Sequence, residues 1–226
     1  MRRLCLLLAL TLAACSEGTE HPQLMPDAPR LLALGDSYTI GEGVTPAERW
    51  PAEVARRLRE SGVDVADPVV VAQTGWTTDE LDEGIDAADP AGPFGVVTLL
   101  VGVNNQYRGQ GLEPYRSGFR DLLGRAIALA GGVPGRVVVV SIPDWGATPF
   151  GARDPRGPEQ IAREVDAFNA VAREEAERAG AQWVDVTALS RTQGDAVVDD
   201  GLHPSAAAYA AWAEQIAPAV RLALSR

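Results

Sequence analysis

The sequence predicts an α/β protein, a single three-layer sandwich in which a parallel sheet of about five strands carries helices on both faces. Short apolar runs alternate with amphipathic segments about five times along the chain, and this alternation is typical of parallel strands joined by crossover helices. The apolar runs are continuous, as in strands buried on both faces. The chain has 226 residues, 46% of them hydrophobic, which suits one domain with a sizeable core.

The N-terminal segment predicts export. Residues 1–3 are basic at Arg2 and Arg3, residues 4–12 are apolar, and Cys15 follows two alanines. This order is typical of a secretory signal, which is too short to span a bilayer comfortably. Its last four residues, 12–15, resemble the lipobox of bacterial lipoproteins. The resemblance implies cleavage before Cys15 and lipidation of that residue, with an ordinary signal peptide as the alternative.

These features divide the chain into three parts. Residues 1–14 are the predicted signal peptide, residues 15–29 a lipidated cysteine with a flexible, proline-containing tether, and residues 30–226 the folded domain. His21 falls in the tether, where we interpret it as solvated. The protein is therefore expected outside the cytoplasm, held by lipid at a bacterial membrane that faces the periplasm or the cell exterior.

The first strand ends at the most informative turn of the chain. Residues 31–34 are apolar and run directly into Gly35, Asp36 and Ser37. The glycine marks an abrupt turn, so Ser37 follows the carboxyl end of a strand, where open α/β sheets place their ligands. Ser37 is therefore a candidate nucleophile. The alternative is that Ser37 caps the next helix.

The following elements alternate regularly. Periodic apolar residues predict a helix over 50–61 that ends at Gly62, and a second buried strand covers 69–72. Thr77 or Thr78 caps a helix that ends near Ala88, and Glu80 is placed for a capping box with Thr77. The further predicted elements are a loop over 90–95, a strand over 96–101, a helix over 115–130 and a strand over 136–141.

The C-terminal part completes the sheet. A long amphipathic helix over 158–179 is stopped by Gly180, and a short fifth strand covers 182–186. Residues 187–200 are predicted to be mostly loop. The last helix covers 205–224, with Ser205 or His203 near its N-terminal cap.

Polar residues cluster where the predicted strands end. The blocks at these strand ends contain Ser37, Gly75 with Trp76, Asn104 with Asn105, and Asp144 with Trp145. His203 is the only histidine of the domain and follows Asp200 by three residues. Serine hydrolysis needs a base, a carboxylate that orients it, and donors for the oxyanion. With Ser37 as the nucleophile, His203 fits the base and Asp200 fits the carboxylate. The Ser37 and Gly75 N–H groups and the Asn104 amide fit the oxyanion donors.

These blocks resemble the SGNH hydrolases, also called GDSL-like lipases and esterases. The matching residues, in chain order, are Ser37, Gly75, Asn104 and His203. The resemblance spans the domain and implies the flavodoxin-like SGNH fold, with Ser37 as nucleophile, His203 as base, Asp200 as its support, and Ser37, Gly75 and Asn104 as the oxyanion hole. Two departures are Tyr38 in place of leucine and Asn105 in place of a frequent aspartate.

Simpler interpretations remain open for several residues. Asp36 is interpreted as structural, binding amides of its own turn. Asn104 and Asn105 are alternatively left-handed turn residues, and Asp200 is alternatively only a helix cap. Asp199 is the neighbouring carboxylate, but its offset from His203 fits the family pattern less well. The loop aromatics either wall an acyl or sugar pocket or pack the loops: Trp76, Tyr107, Trp145 and Phe150.

Composition excludes several classes of function. The formal charge of −11 argues against nucleic-acid binding. A Cys-rich metal site or a structural zinc site is not expected, because both cysteines lie within the first fifteen residues and only two histidines occur. Serine ester hydrolysis itself implies no metal or organic cofactor. The sequence thus predicts a serine esterase acting through an acyl-enzyme on lysophospholipids, short acyl esters, thioesters or acetylated sugars. The alternatives are a non-catalytic lipid-anchored binding module and, last, a phosphate or nucleotide binder. Substrate and oligomeric state stay open.

Overall fold

Five parallel strands form one sheet in the order β2-β1-β3-β4-β5 in the computed structural model, which describes residues 28–226. The strands are β1 Leu31–Gly35, β2 Val69–Ala72, β3 Val96–Leu100, β4 Val137–Val140 and β5 Gln182–Val184. The predicted α/β sandwich is therefore confirmed. The predictions for the signal peptide, Cys15, His21 and most of the tether lie outside the described residues.

Helices cover both faces of the sheet. They are α1 Ser37–Ile40, α2 Trp50–Glu60, α3 Thr78–Ala88, α4 Val103–Tyr107, α5 Leu112–Leu129, α6 Pro158–Ala179, α7 Thr187–Thr192 and α8 Ala206–Leu224. On one face α2 packs against α8, and on the other α5 packs against both α3 and α6. No helix within residues 28–226 is both long and apolar enough to cross a membrane.

The strand order places a crevice between β1 and β3. Leu34 of β1 pairs with Val71 of β2 on one side and with Leu99 of β3 on the other. The connection from β1 runs to β2 on one side of β1, whereas the connection from β3 runs to β4 on the opposite side of the sheet. Where neighbouring strands connect in opposite directions, a crevice opens at their carboxyl ends. The segments that follow β1 and β3 line this crevice, and they carry Ser37 and Asn104 respectively.

The core lies on both faces of the central strands. Every residue of β1, β3 and β4 is buried, as their continuous apolar runs predict. The expectation that β2 is equally buried is wrong, because β2 is an edge strand and Val69 is 38% exposed.

Several element boundaries and two short helices differ from the sequence predictions. Helix α5 begins at Leu112, three residues before the predicted start at residue 115, and β5 ends at Val184. The short helices α4 and α7 were expected as turn and loop. Helix α7 forms because the N–H of Thr187 donates to the side chains of Asp185, at 2.8 Å, and Ser141, at 3.1 Å, and the second of these partners is distant in sequence.

The predicted caps are largely confirmed. Thr77 is the N-cap of α3, and its capping box with Glu80 is complete. Ser205 is the N-cap of α8, with its side chain accepting from the N–H of Ala208, so His203 is not the cap.

Candidate active site

Ser37 is held at the end of β1 by a turn that only glycine permits. Asp36 is the N-cap of α1, and its carboxylate accepts a hydrogen bond from the N–H of Tyr38 at 3.1 Å. A Cβ at Gly35 would come within 2.2 Å of Oγ1 of Thr39 and 2.4 Å of a β3 carbonyl. Ser37 is thus the first residue of α1, and the alternative in which Ser37 itself caps this helix is wrong.

Asp200 holds His203 from both its side chain and its backbone. One carboxylate oxygen lies 2.6 Å from Nδ1 of His203, and the other accepts from the N–H groups of Leu202, at 2.7 Å, and His203, at 2.9 Å. Because Ser205 caps α8, the interpretation of Asp200 as a mere helix cap is wrong. Asp199 makes no hydrogen bond to His203 within the described part of the chain.

The electrostatics of Asp200 suit this arrangement. Partial burial on its own would raise the pKa of Asp200, but the hydrogen bonds from the His203 side chain and from the two backbone N–H groups outweigh it and lower the pKa. Asp200 is therefore ionised near neutral pH. A charged carboxylate on Nδ1 leaves Nε2 of His203 as the nitrogen available to act as a base.

Ser37 and His203 line one cavity of about 230 Å³, and this cavity also exposes Gly75 and Asn104. The fold therefore brings into one cavity four residues that lie far apart in the sequence. Among residues 28–226 no hydrogen bond joins the Ser37 hydroxyl to His203. In proteins without bound substrate such hydrogen bonds are often long and shorten only when substrate binds.

The expected oxyanion donors have unused hydrogens. Neither the Ser37 N–H nor the Gly75 N–H donates to another residue of the described chain. Nδ2 of Asn104 donates one hydrogen to the carbonyl of Trp76 at 2.9 Å, and an amide nitrogen has a second. Ser37, Gly75 and Asn104 thus all line the cavity, and each has a donor hydrogen that no residue of the described chain accepts, which suits stabilisation of an oxyanion.

Asn104 and Asn105 lie in α4 and have different surroundings. Neither has a positive φ, so their interpretation as left-handed turn residues is wrong. Asn105 is buried and braces α4 against the start of α3: its Oδ1 accepts from the Thr78 N–H at 3.2 Å, and its Nδ2 donates to Thr78 at 2.9 Å and Gln110 at 2.8 Å. These bonds account for Asn105 as a structural residue.

Aromatic residues form one wall of the cavity. Tyr107, Trp145 and Phe150 line it, and the ring of Trp145 lies 5.5 Å from that of Tyr107 and 6.0 Å from that of Phe150. Nε1 of Trp145 donates to Gln106 at 2.9 Å, and the guanidinium of Arg156 lies over both Tyr107 and Trp145. The sequence did not point to Gln106 or Arg156, because these contacts join distant segments.

Trp76 and Asp144 lie outside this cavity. Trp76 lines an adjoining groove with Gln73, Glu80, Glu83 and Arg108. Asp144 is buried and accepts hydrogen bonds from the N–H of Gly146 at 2.9 Å and from Arg191 at 2.7 Å. Asp144 therefore stabilises the turn after β4.

Asp36, the neighbour of Ser37, is fully buried. One of its carboxylate oxygens binds the Tyr38 N–H, and the other has no hydrogen-bond partner within residues 28–226. Burial raises the pKa of Asp36 to about 7, although the backbone hydrogen bonds act in the opposite direction. Asp36 binds an amide of its own turn, as its structural interpretation predicts.

No group of three or more His, Cys, Asp or Glu side chains in residues 28–226 is arranged to hold a metal ion.

Comparison with known proteins identifies a related family and related folds. The model of the GDSL-like lipase/acylhydrolase family matches residues 33–211. No curated protein is similar enough to match the sequence. Among solved structures, TesA is 22% identical with a TM-score of 0.67, over 86% of this chain and 99% of that chain.

Two further structures have similar folds. The lipase/acylhydrolase from Enterococcus faecalis is 20% identical with a TM-score of 0.64, over 85% of this chain and 95% of its own. Axe2, an acetylxylan esterase from Geobacillus stearothermophilus, is 20% identical with a TM-score of 0.61, over 88% of this chain and 94% of its own. At these identities the likeness concerns the fold.

Proposed function

The chain belongs to the GDSL-like lipase/acylhydrolase family and is a hydrolase of ester bonds, and on that premise we propose that it is a serine esterase that forms an acyl-enzyme on Ser37. The observation that carries the proposal is that His203, joined to Asp200 at 2.6 Å, lines the same cavity as Ser37. No other histidine lies in residues 28–226.

In the proposed first step, Nε2 of His203 takes the proton of the Ser37 hydroxyl while Oγ attacks the ester carbonyl carbon. The negative charge moves to the carbonyl oxygen, where the N–H groups of Ser37 and Gly75 and the Asn104 amide donate to it. The carbonyl re-forms, the bond to the alcohol breaks, and His203 gives its proton to the departing alcohol oxygen. Water then attacks the acyl-enzyme by the same route, which releases the acid and restores Ser37.

We propose a short acyl group as the substrate's acid part. The cavity of about 230 Å³ is mostly apolar at its walls, and pockets for drug-sized ligands are usually larger. The ring contacts and the Gln106 hydrogen bond hold Trp145 in the wall, so the cavity is not expected to widen easily for a long chain. One structural neighbour is described as an acetylxylan esterase, which agrees with a small acyl group.

The test is a Ser37→Ala variant assayed with p-nitrophenyl acetate, butyrate, octanoate and palmitate. We expect turnover of the acetate and butyrate esters by the wild-type protein and a loss of about 10³-fold or more in the variant. Ser225→Ala, which alters a serine at the end of α8, is the control. Retained turnover in pure Ser37→Ala would overturn the mechanism, and a preference for palmitate would overturn the proposed acyl size.

The same assay separates the two neighbouring carboxylates. Asp200→Asn removes the charge on Nδ1 of His203 and is expected to lower kcat by about a hundredfold or more. Asp199→Asn is the matched control, because no hydrogen bond joins Asp199 to His203 in the described chain. Equal effects of the two variants would contradict the proposed role of Asp200.

The second candidate is a non-catalytic binding module on the same scaffold. The one observation in its favour is that the Ser37 hydroxyl forms no hydrogen bond with His203 within the described residues. A fluorophosphonate probe distinguishes the candidates, since it labels only an activated serine. We expect labelling of the wild-type protein and none of Ser37→Ala; absence of labelling in both would favour the binding module.

We further propose that the protein is exported and anchored to a bacterial membrane by lipid on Cys15. This proposal is supported by the order of residues 1–15 and by their resemblance to a lipobox. The ester substrate would then be met outside the cytoplasm.

A further inference from the structure

We propose that Arg108 is a positioning residue for the oxyanion hole, an inference that rests on the proposed function. Its guanidinium makes two hydrogen bonds at the groove beside the cavity. Nη2 donates to the carbonyl oxygen of Gly75 at 2.6 Å, and Nη1 donates to Oε1 of Glu80 at 3.0 Å. Arg108 does not line the cavity that contains Ser37, so its effect on the reaction passes through the residues it holds.

Gly75 is the donor that most needs to be held. Its φ of +90° lies in the region that side-chain-bearing residues rarely adopt. A glycine has more freedom to rotate than any other residue, and a rotation would turn its N–H away from the oxyanion. The hydrogen bond from Arg108 fixes the orientation of the Gly75 carbonyl and thereby restricts the backbone of this residue.

Arg108 also connects two of the three donors. It follows α4 directly, and its backbone N–H donates to the carbonyl of Asn104 at 3.0 Å. Asn104 itself binds the carbonyl of Trp76 at 2.9 Å. Two hydrogen bonds therefore run from α4 and its C-cap to the turn at Gly75 and Trp76, and together they set the distance between the Asn104 amide and the Gly75 N–H.

Glu80 fixes the orientation of the guanidinium. Its Oε1 accepts from Arg108, while its Oε2 accepts from the N–H of Thr77 at 2.8 Å in the capping box of α3. The pKa of Glu80 is lowered, and the largest cause is the hydrogen bond from the Arg108 side chain. Because both oxygens of Glu80 are engaged, the guanidinium is held in one plane and its second nitrogen faces Gly75.

Arg108 positions Gly75 through the two N–H donors of its planar guanidinium rather than through its charge alone. The side chains of Arg108 and Glu80 are 46% and 41% exposed, so the Coulomb attraction between them is weak and screened by salt. A lysine keeps the charge but cannot donate to Glu80 and Gly75 in the same fixed geometry. Arg108→Lys is therefore expected to recover only part of the function.

The experiment compares Arg108→Met, Arg108→Lys and the matched control Arg125→Met on p-nitrophenyl butyrate. Arg125 also binds α3 carboxylates, those of Asp82 at 2.7 Å and Asp86 at 2.5 Å, but within the described chain it makes no hydrogen bond to Gly75. We expect kcat of Arg108→Met to fall about tenfold to a hundredfold, less than for loss of a whole donor. KM is expected to stay within about twofold, since the lost interaction acts in the transition state.

The remaining outcomes each decide the proposal. Arg108→Lys should have an intermediate kcat, and Arg125→Met should match the wild type. Wild-type kcat in folded Arg108→Met overturns the proposal, and a raised KM with unchanged kcat shows that Arg108 contacts substrate instead. Should Arg108→Met fail to fold, wild-type kcat in Arg108→Lys overturns it equally. Activity retained by Ser37→Ala would refute the proposed function separately, because that result does not depend on Arg108.

Discussion

The buried carboxyl of Asp36 destabilises the folded protein when it is ionised. It caps α1 and so shapes the turn that presents Ser37, but its second carboxylate oxygen has no partner in the described chain. An unpaired buried charge is strongly unfavourable, and the group responds by binding a proton more tightly. The raised pKa of Asp36, about 7, thus follows from its position at the end of a buried strand.

Asp36 should make the protein less stable as the pH rises. The folded state favours the protonated form, so this contribution is fully present below the ordinary pKa of 3.8 and is lost as the pH rises through about 7. The loss is on the order of 4 kcal/mol. Asp36→Asn cannot ionise and should lack this decline, which urea unfolding between pH 4 and pH 8 would measure.

The control for this measurement is Asp195→Asn, because Asp195 is exposed. Its unfolding free energy should follow the wild-type pH dependence. If Asp36→Asn also follows the wild-type curve, the buried carboxyl does not titrate as described.

At the scale of elements, the packing of α5 against α6 encloses a charge cluster. Glu175 of α6 has a side chain that is only 2% exposed, and it binds Arg116 and Arg120 of α5 and Arg178 of its own helix at 2.6–3.0 Å. Its buried carboxylate is therefore compensated by three guanidinium groups. These hydrogen bonds, that of Arg120 first, lower the pKa of Glu175 to about 2.

Glu175 should contribute to stability in the direction opposite to Asp36. A lowered pKa means that the contribution is present above the ordinary value of 4.5 and is lost as the pH falls toward 2. Glu175→Gln should lower the free energy of unfolding by about 2 kcal/mol at pH 7, and the difference should shrink in acid. Chemical unfolding of both proteins at pH 7 and pH 3 would measure it.

Glu177→Gln is the matched control on the same helix. Glu177 pairs with Arg173 at 2.7 Å, but both side chains are more than half exposed. Its loss should change the unfolding free energy by less than about 0.5 kcal/mol. A similar cost for both variants would show that burial of Glu175 does not matter.

Some elements of this fold could be predicted from local sequence signals, and others could not. The strands, the long helices and the Thr77 capping box follow from local signals: apolar runs, helical periodicity and cap residues. Helix α7 does not, because its first N–H groups are bound by Ser141 from the end of β4. The exposure of β2 is equally non-local, since it depends on β2 being at the edge of the sheet.

At the scale of the whole molecule, the grouping of the candidate site was predictable because parallel strands end at one edge. Alternation of strands and helices was enough to expect Ser37, Gly75 and Asn104 together. His203 precedes the last helix and does not end a strand, so it was placed with them by the need of a serine nucleophile for a base and by the resemblance to the SGNH hydrolases. The supporting contacts were not predictable: the Gln106–Trp145 hydrogen bond joins residues 39 positions apart, and the Arg108–Gly75 bond joins residues 33 apart. Such pairs depend on how loops meet across the crevice.

The proposed lipid anchor leads to a prediction about the whole protein. All residues of the candidate site lie in the described domain, whereas Cys15 precedes it. Cys15→Ser should therefore move the protein, expressed in a bacterial host, from the membrane fraction to the soluble fraction. Its kcat on p-nitrophenyl butyrate should stay at the wild-type value.

Cys5→Ser is the control, because Cys5 lies within the predicted signal peptide and should not affect anchoring. A Cys15→Ser protein that stays with the membrane would contradict lipidation at this residue, since no other cysteine follows it.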